Sequence, residues 1–109
     1  MHPTIRLLQT CRITLFTRAN CSLCTNAKDT LFKVRETRPF VYKEIAVMED
    51  GQKQWKDLYE FDTPVIHVSR EDAGEEQSEL ASKARKLMHR FTEEEIKAKM
   101  DEVEGKSSV

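Results

Sequence analysis

In residues 11–17, CRITLFT, the side chains alternate. Ile13, Leu15 and Thr17 fall on one side, and Arg12, Thr14 and Phe16 on the other. Phe16 makes the second side apolar as well, so the segment reads as a central strand covered on both faces. Beyond Asn20 the period lengthens. Leu23, Cys24, Ala27, Leu31 and Val34 recur at helical spacing, with Asn26, Lys28, Lys33 and Arg35 between them, which predicts a helix over residues 22–35 capped by Asn20. Pro39 separates it from FVYKEIAV, a second strand with Val41 and Ile45 among its apolar positions. Asp50 and Gly51 mark a turn. In QKQWKDLYEF, Trp55, Leu58 and Tyr59 stand at i, i+3 and i+4 and predict a short amphipathic helix.

TPVIHVS, introduced by Pro64, is the third strand. Residues 71–79, EDAGEEQSE, are acidic, lack an apolar period and read as an exposed loop. KLMHR suits an edge strand. FTEEEIKAKMDEVE closes the pattern as a helix, with a capping box of Thr92 and Glu95 and a stripe of Ile96, Met100 and Val103. Residues 105–109 read as a frayed tail. The order is therefore βαβαββα, an α/β arrangement. Two strands joined by a helix should lie parallel with a right-handed connection, and the last two, joined by a loop, antiparallel. The expected product is one domain over residues 1–109, a mixed four-stranded sheet with helices on both faces.

Composition narrows the function classes. Apolar residues make up 39% and charged residues 34% of the 109, the balance of a soluble domain. No run approaches the ~20 apolar residues of a membrane helix. A net charge of −1 gives no reason to expect nucleic acid or a membrane as partner, and a monomer is expected. The charge is uneven: residues 1–45 hold 8 Lys/Arg against 3 Asp/Glu, and residues 46–109 hold 10 against 16. Three cysteines do not make a disulfide framework. A reducing, cytoplasmic setting is expected. The opening MHPTIRLLQTCR has no acidic residue and two arginines, so a mitochondrial presequence fragment is the alternative to a ragged N-terminus.

Two of the cysteines stand three residues apart, in RANCSLCT at the junction of the first strand and helix. Such a pair serves as half a metal site, as a redox couple, or as nothing. Structural zinc takes four ligands, commonly two such pairs. Only Cys11, His2, His67 and His89 remain to complete a set, and Cys11 and His67 lie in strands, so no metal is expected. Cys11 reads as a small buried residue, His67 and His89 as strand packing, and Trp55 as core. As a redox couple the pair has a physical rationale. Cys21 at a helix N-terminus faces unpaired N–H groups and the positive dipole end, which favour a thiolate. Sites of this kind bring a thiol pKa from ~8.5 to ~3.5–7.5. Arg18 adds a permanent positive charge. Cys24, one turn on, can attack a mixed disulfide formed on Cys21.

The segment ITLFTRANCSLCTNAKDTL, followed some distance on by DTPVIHV, resembles the glutaredoxin branch of the thioredoxin-fold family, over about residues 11–104. The resemblance implies that Pro64 is cis and lies opposite the cysteines. It also implies that the Thr63 backbone offers itself to an extended substrate, as an added β-strand would. It implies a thiol–disulfide oxidoreductase with Cys21 and Cys24 catalytic and Arg18, Thr63 and Pro64 binding substrate. The substrate would be a disulfide on a protein or a glutathione mixed disulfide. No cofactor is held tightly, and glutathione would be a co-substrate.

The sequence also departs from the family pattern. Ser22-Leu23 replaces a proline and an aromatic between the cysteines, and Arg18 replaces a lysine. Asp62 precedes Thr63-Pro64 and would repel glutathione carboxylates. His89-Arg90 stands where a Gly-Gly turn usually holds the γ-glutamyl end, which predicts weak glutathione binding. The competing class is a thioredoxin-fold interaction module with little catalysis. Both thiols favour the first class; Ser22-Leu23 and His89-Arg90 favour the second.

Overall fold

All seven side chains of β1 (Cys11–Thr17) are buried, and the rest of the chain arranges itself around that strand. The computed structural model describes residues 10–105; most of the opening segment weighed as a presequence, and residues 106–109 of the tail, lie outside them. After β1 come α1 (Ser22–Thr37), β2 (Val41–Ala46), α2 (Lys53–Tyr59), β3 (Val65–Arg70), a 3-10 helix (Ser78–Lys83), β4 (Arg85–Met88) and α3 (Glu93–Glu104). The sheet order is β2-β1-β3-β4. β1 runs parallel to β2 and antiparallel to β3, and β3 runs antiparallel to β4. This is the α/β, mixed four-stranded sheet that the pattern predicts.

Alternation along β1 divides the core into two layers. Cys11, Ile13 and Leu15, with Ile66 and Val68 of β3, pack under Ala27, Leu31 and Val34 of α1 and Ile96 and Met100 of α3. Phe16 and Val65 face the other way, against Trp55 and Tyr59 of α2 and Ala81 of the 3-10 helix. Each fully buried large aliphatic side chain contributes ~1.5–3 kcal/mol from removal of its surface from water. α1 runs two residues past its apolar period and stops at Arg38, whose extended backbone is what a residue before proline adopts. There the Arg38 guanidinium bonds Asp101 at 2.6 Å and Glu104 at 3.1 Å, tying α1 to α3. Thr92 and Glu95 form the expected capping box.

Three local expectations change. Asn20 does not cap α1; it takes a left-handed turn conformation, φ 58°, which asparagine tolerates better than most residues. The cap is Cys21. Gly105 does not begin a frayed tail but closes α3 in the left-handed conformation that glycine adopts freely. The edge strand runs from Arg85 to Met88, earlier than KLMHR suggests.

The acidic loop departs further from its expected solvated state. It leads into the 3-10 helix at Ser78, and Glu76 folds under the sheet. The second face of β1 and β3 carries buried Arg12, Thr14 and His67 beside Phe16. Glu76 answers that polarity: Oε2 accepts from Arg12 Nη2 at 3.0 Å, and Oε1 lies 2.7 Å from His67 Nδ1. His67 Nε2 lies 2.7 Å from the Tyr59 hydroxyl. Arg12 also donates to the carbonyls of Ala73 and Gly74, so the loop backbone is fastened too. Burial pushes the Glu76 carboxyl up, but the His67 bond and charge, with Arg12, outweigh it and hold the group below its ordinary range.

Glu76→Ala should therefore cost roughly 1.5–3 kcal/mol of unfolding free energy, the range for hydrogen bonds to charged groups, read from urea unfolding at neutral pH. The stabilisation is complete above the ordinary carboxyl value of 4.5 and is lost as pH falls through the lower folded-state value. The gap between wild type and Glu76→Ala should accordingly narrow in acid. A gap that stays constant as pH falls would rule out this carboxylate as its source.

Candidate active site

Three loops meet where β1 ends. Phe16 pairs with Val65, so the antiparallel register sets Thr17 beside Pro64. Val65 pairs with Met88, and the next backbone bond runs from His89 N to Pro64 O at 2.7 Å. The segments Arg18–Cys21, Asp62–Pro64 and His89–Arg90 thus share one end of the sheet.

Cys21 and Cys24 are at disulfide distance, with Cα atoms 5.2 Å apart. Cys21 is the N-cap of α1, and its sulfur accepts the Cys24 backbone N–H at 3.2 Å. The sulfur therefore occupies the place of a capping oxygen, where the unpaired N–H groups and the dipole favour negative charge. Cys21 is half-buried and reachable, whereas Cys24 is 3% exposed. Ser22 is exposed and Leu23 half-buried at the first turn. Cys11 is fully buried at the far end of β1, with its thiol near the Met100 carbonyl and Glu104. A reachable cysteine at a helix N-terminus with a second, buried cysteine at disulfide distance behind it is the arrangement that disulfide exchange requires.

Arg18 lines a groove of about 350 Å³ together with Cys21, Cys24, Lys28, Asp29 and Glu44. Its Nη1 donates to the Glu60 carbonyl at 2.7 Å, so part of its fork binds the protein itself. Sequence reasoning missed the far wall, the Lys28–Glu44 pair at 3.0 Å. Lys28 stands seven residues beyond Cys21, on the same helix face, so helical periodicity could have found it. Glu44 arrives only through the parallel pairing of β2 with β1. The Tyr42 hydroxyl bond and Lys28 hold the Glu44 carboxyl below its ordinary range despite partial burial.

The Thr63–Pro64 peptide is cis. Thr63 is half-buried, and among the described residues its backbone makes no hydrogen bond. Asp62, set beside the cysteines by sequence, has its Oδ1 3.5 Å from His89 Nε2. A second groove, about 190 Å³, runs between α1 at Leu23, Asn26 and Thr30 and the turn at His89, Arg90 and Phe91. His89 has φ 67°, so the backbone keeps a glycine-like conformation although the side chain is bulky. Among the described residues no cluster of three or more His, Cys, Asp and Glu could hold a metal, and no helix is long and apolar enough to cross a membrane.

Comparison with known proteins agrees with this geometry. Residues 12–101 match the family model described as Glutaredoxin-like domain (DUF836). A glutaredoxin-like protein of Dictyostelium discoideum is 37% identical over 57 residues, covering 49% of this chain. The match takes in 53% of that relative, so the chain spans about half the length of the curated protein it resembles. Among solved structures, the protein XcR50 from X. campestris superposes with a TM-score of 0.56 at 20% identity, over 83% of this chain and 96% of its own. A thioredoxin from Thermus thermophilus gives 0.57 at 16% identity, over 91% and 79%. At these identities the likeness shows a shared thioredoxin fold.

The left-handed turn makes His89 testable apart from any activity. Ala retains the Cβ that crowds this conformation, and Gly removes it. His89→Gly should be more stable than His89→Ala by about 1 kcal/mol, measured by thermal or urea unfolding. Equal stability of the two variants would show that the turn relaxes to negative φ.

Proposed function

The chain belongs to the glutaredoxin-like domain family, and we propose that it is a thiol–disulfide oxidoreductase with Cys21 as nucleophile and Cys24 as resolving thiol. One observation carries the reading: the Cys21 sulfur caps α1, half-exposed and 3.2 Å from the Cys24 amide, while Cys24 is buried at disulfide distance behind it.

The chemistry balances within the pair and its substrate. The Cys21 thiolate attacks one sulfur of a substrate disulfide. A new S–S bond forms, the old one breaks, and the displaced thiolate takes a proton from solvent. Cys24 then gives up its proton and attacks the Cys21 sulfur, and the second substrate thiolate leaves. Two electrons pass to the substrate, and the protein is left with the Cys21–Cys24 disulfide. Two external thiols, with glutathione as one candidate co-substrate, return the two electrons by successive exchange at the Cys21–Cys24 disulfide and are themselves joined in a disulfide. Helix capping and the Arg18 charge favour the attacking thiolate. The Thr63 backbone, which makes no hydrogen bond among the described residues, suits pairing with an extended substrate chain beside Pro64.

In the reduced protein Cys21 should be alkylated faster than Cys24 at neutral pH, since one sulfur is open and the other buried. Cys24→Ser should accumulate a mixed disulfide on Cys21, visible by mass spectrometry, and Cys21→Ser should form none. Peptide mapping of oxidised protein should find Cys21 joined to Cys24. A main bridge involving Cys11, or no turnover of any disulfide, would leave the chain an interaction module rather than an oxidoreductase.

Glutathione-linked turnover is expected to be weak. His89 and Arg90 occupy the turn, and losing one hydrogen bond to a charged group costs ~1.5–3 kcal/mol, roughly ten- to a hundredfold in affinity. Because the His89 backbone already has a glycine-like φ, replacing both residues with glycine should raise turnover of a glutathione mixed disulfide without refolding the turn. No gain would assign the weakness elsewhere, Asp62 being the next residue to change.

A further inference from the structure

Phe61 is out of place for a core former. It is 87% exposed, and the next most exposed large apolar side chain among the described residues, Leu80, stands at 53%. The turn beneath it is held firmly. The Glu60 amide donates to Lys56 O at 3.0 Å and the Asp62 amide to Tyr59 O at 2.9 Å. Glu60 O accepts from Arg18 Nη1 at 2.7 Å, which ties the turn to the loop that leads into Cys21. The backbone beneath the ring is already ordered, so covering the ring costs its own rotamer freedom but no ordering of the turn. Phe61 precedes Thr63 by two residues, so their Cα atoms are at most ~7 Å apart. A chain pairing with the Thr63 backbone brings the residues that flank its own cysteine within reach of the ring.

We propose that Phe61 is a specificity anchor for protein disulfides whose target cysteine has an apolar residue close by, flanked by basic side chains. This rests on the oxidoreductase reading of the same site. Charge decides the occupant. Glu60 and Asp62 flank Phe61 in sequence with two carboxylates. Against them stand the one guanidinium of Arg18, which reaches the Glu60 carbonyl, and the His89 ring, 3.5 Å from Asp62. That balance disfavours acidic chains and favours Lys or Arg. Glutathione fits this surface poorly: it offers no apolar side chain for the ring, and it carries two carboxylates of its own. An extended protein segment satisfies the backbone, the ring and the charges together.

The test uses the full chain, reduced, with a synthetic peptide disulfide bearing Leu two residues from its cysteine and Lys on either side, and with a glutathione mixed disulfide for comparison. The ratio of kcat/KM for the peptide over the glutathione substrate should fall about tenfold in Phe61→Ala. Phe61→Leu should recover most of it, and replacing the peptide lysines by Glu should lower it in the wild type. The same peptide with Ser for Cys cannot react, and its binding, read by fluorescence anisotropy, should weaken about tenfold in Phe61→Ala. Phe61 is exposed, so unchanged thermal unfolding is expected and checked. Normal turnover with neither ratio nor binding responding to Phe61→Ala overturns the anchor and leaves the oxidoreductase standing. Phe61-dependent binding without turnover of any disulfide keeps the docking surface and overturns the oxidoreductase. Sedimentation showing a dimer that Phe61→Ala dissociates would assign the ring to a second copy of this chain and overturn the proposal.

Discussion

β1 has no side facing water, and that single constraint organises the molecule. A strand buried on both faces must have a layer on each, so α1 and α3 cover one side and α2 with the 3-10 helix the other. It must also have neighbours on both edges, which β2 and β3 supply. The C-terminal end of such a strand is where the chain escapes the layers. The loop leaving it toward α1 therefore lies beside the loop entering β3 and the turn leaving β4. The cysteine pair sits at this exit because the helix that follows β1 must begin there, and its N-terminus supplies the polarity that a sulfur anion needs.

The second face of the sheet shows how a polar layer becomes structure. Arg12, Thr14 and His67 are apolar-layer positions filled by polar side chains. A buried guanidinium without a counter-charge would cost several kcal/mol. The chain meets that need from a segment otherwise rich in exposed carboxylates, by folding one of them, Glu76, beneath the sheet. The segment is thereby strapped across the sheet at a defined point, and Tyr59 of α2 is drawn into the same chain of hydrogen bonds through His67.

At the site, charges that look available in sequence are partly engaged by the protein. Arg18 holds the Glu60 carbonyl, Lys28 holds Glu44, and Asp62 faces His89. Among the described residues, the Cys21 side chain is reachable, the Thr63 backbone makes no hydrogen bond and the Phe61 ring is exposed. In the function proposed above, recognition would lean on backbone pairing and apolar contact, with charge acting as a filter.

The order of strands and α-helices, the parallel β1–β2 and antiparallel β3–β4 pairings, the two faces of β1 and the cysteine pair at a helix start were legible in the sequence; the antiparallel β1–β3 pairing that centres β1, and the 3-10 helix, were not. The legible features follow from spacing along short segments: alternation in CRITLFT, a helical period after Cys21, Thr92 with Glu95. Local signals misplaced the α1 cap, because Asn and Cys are adjacent and only the backbone dihedrals tell which of them turns and which caps. What the tertiary structure alone decided are contacts between distant segments. Arg18 meets a carbonyl 42 residues away and Arg12 a carboxylate 64 residues away. No local period distinguishes Glu76 from the exposed carboxylates around it. Its burial is set by the unpaired guanidinium that the folded sheet presents at that point, and by the reach of a loop whose two ends the sheet has already fixed.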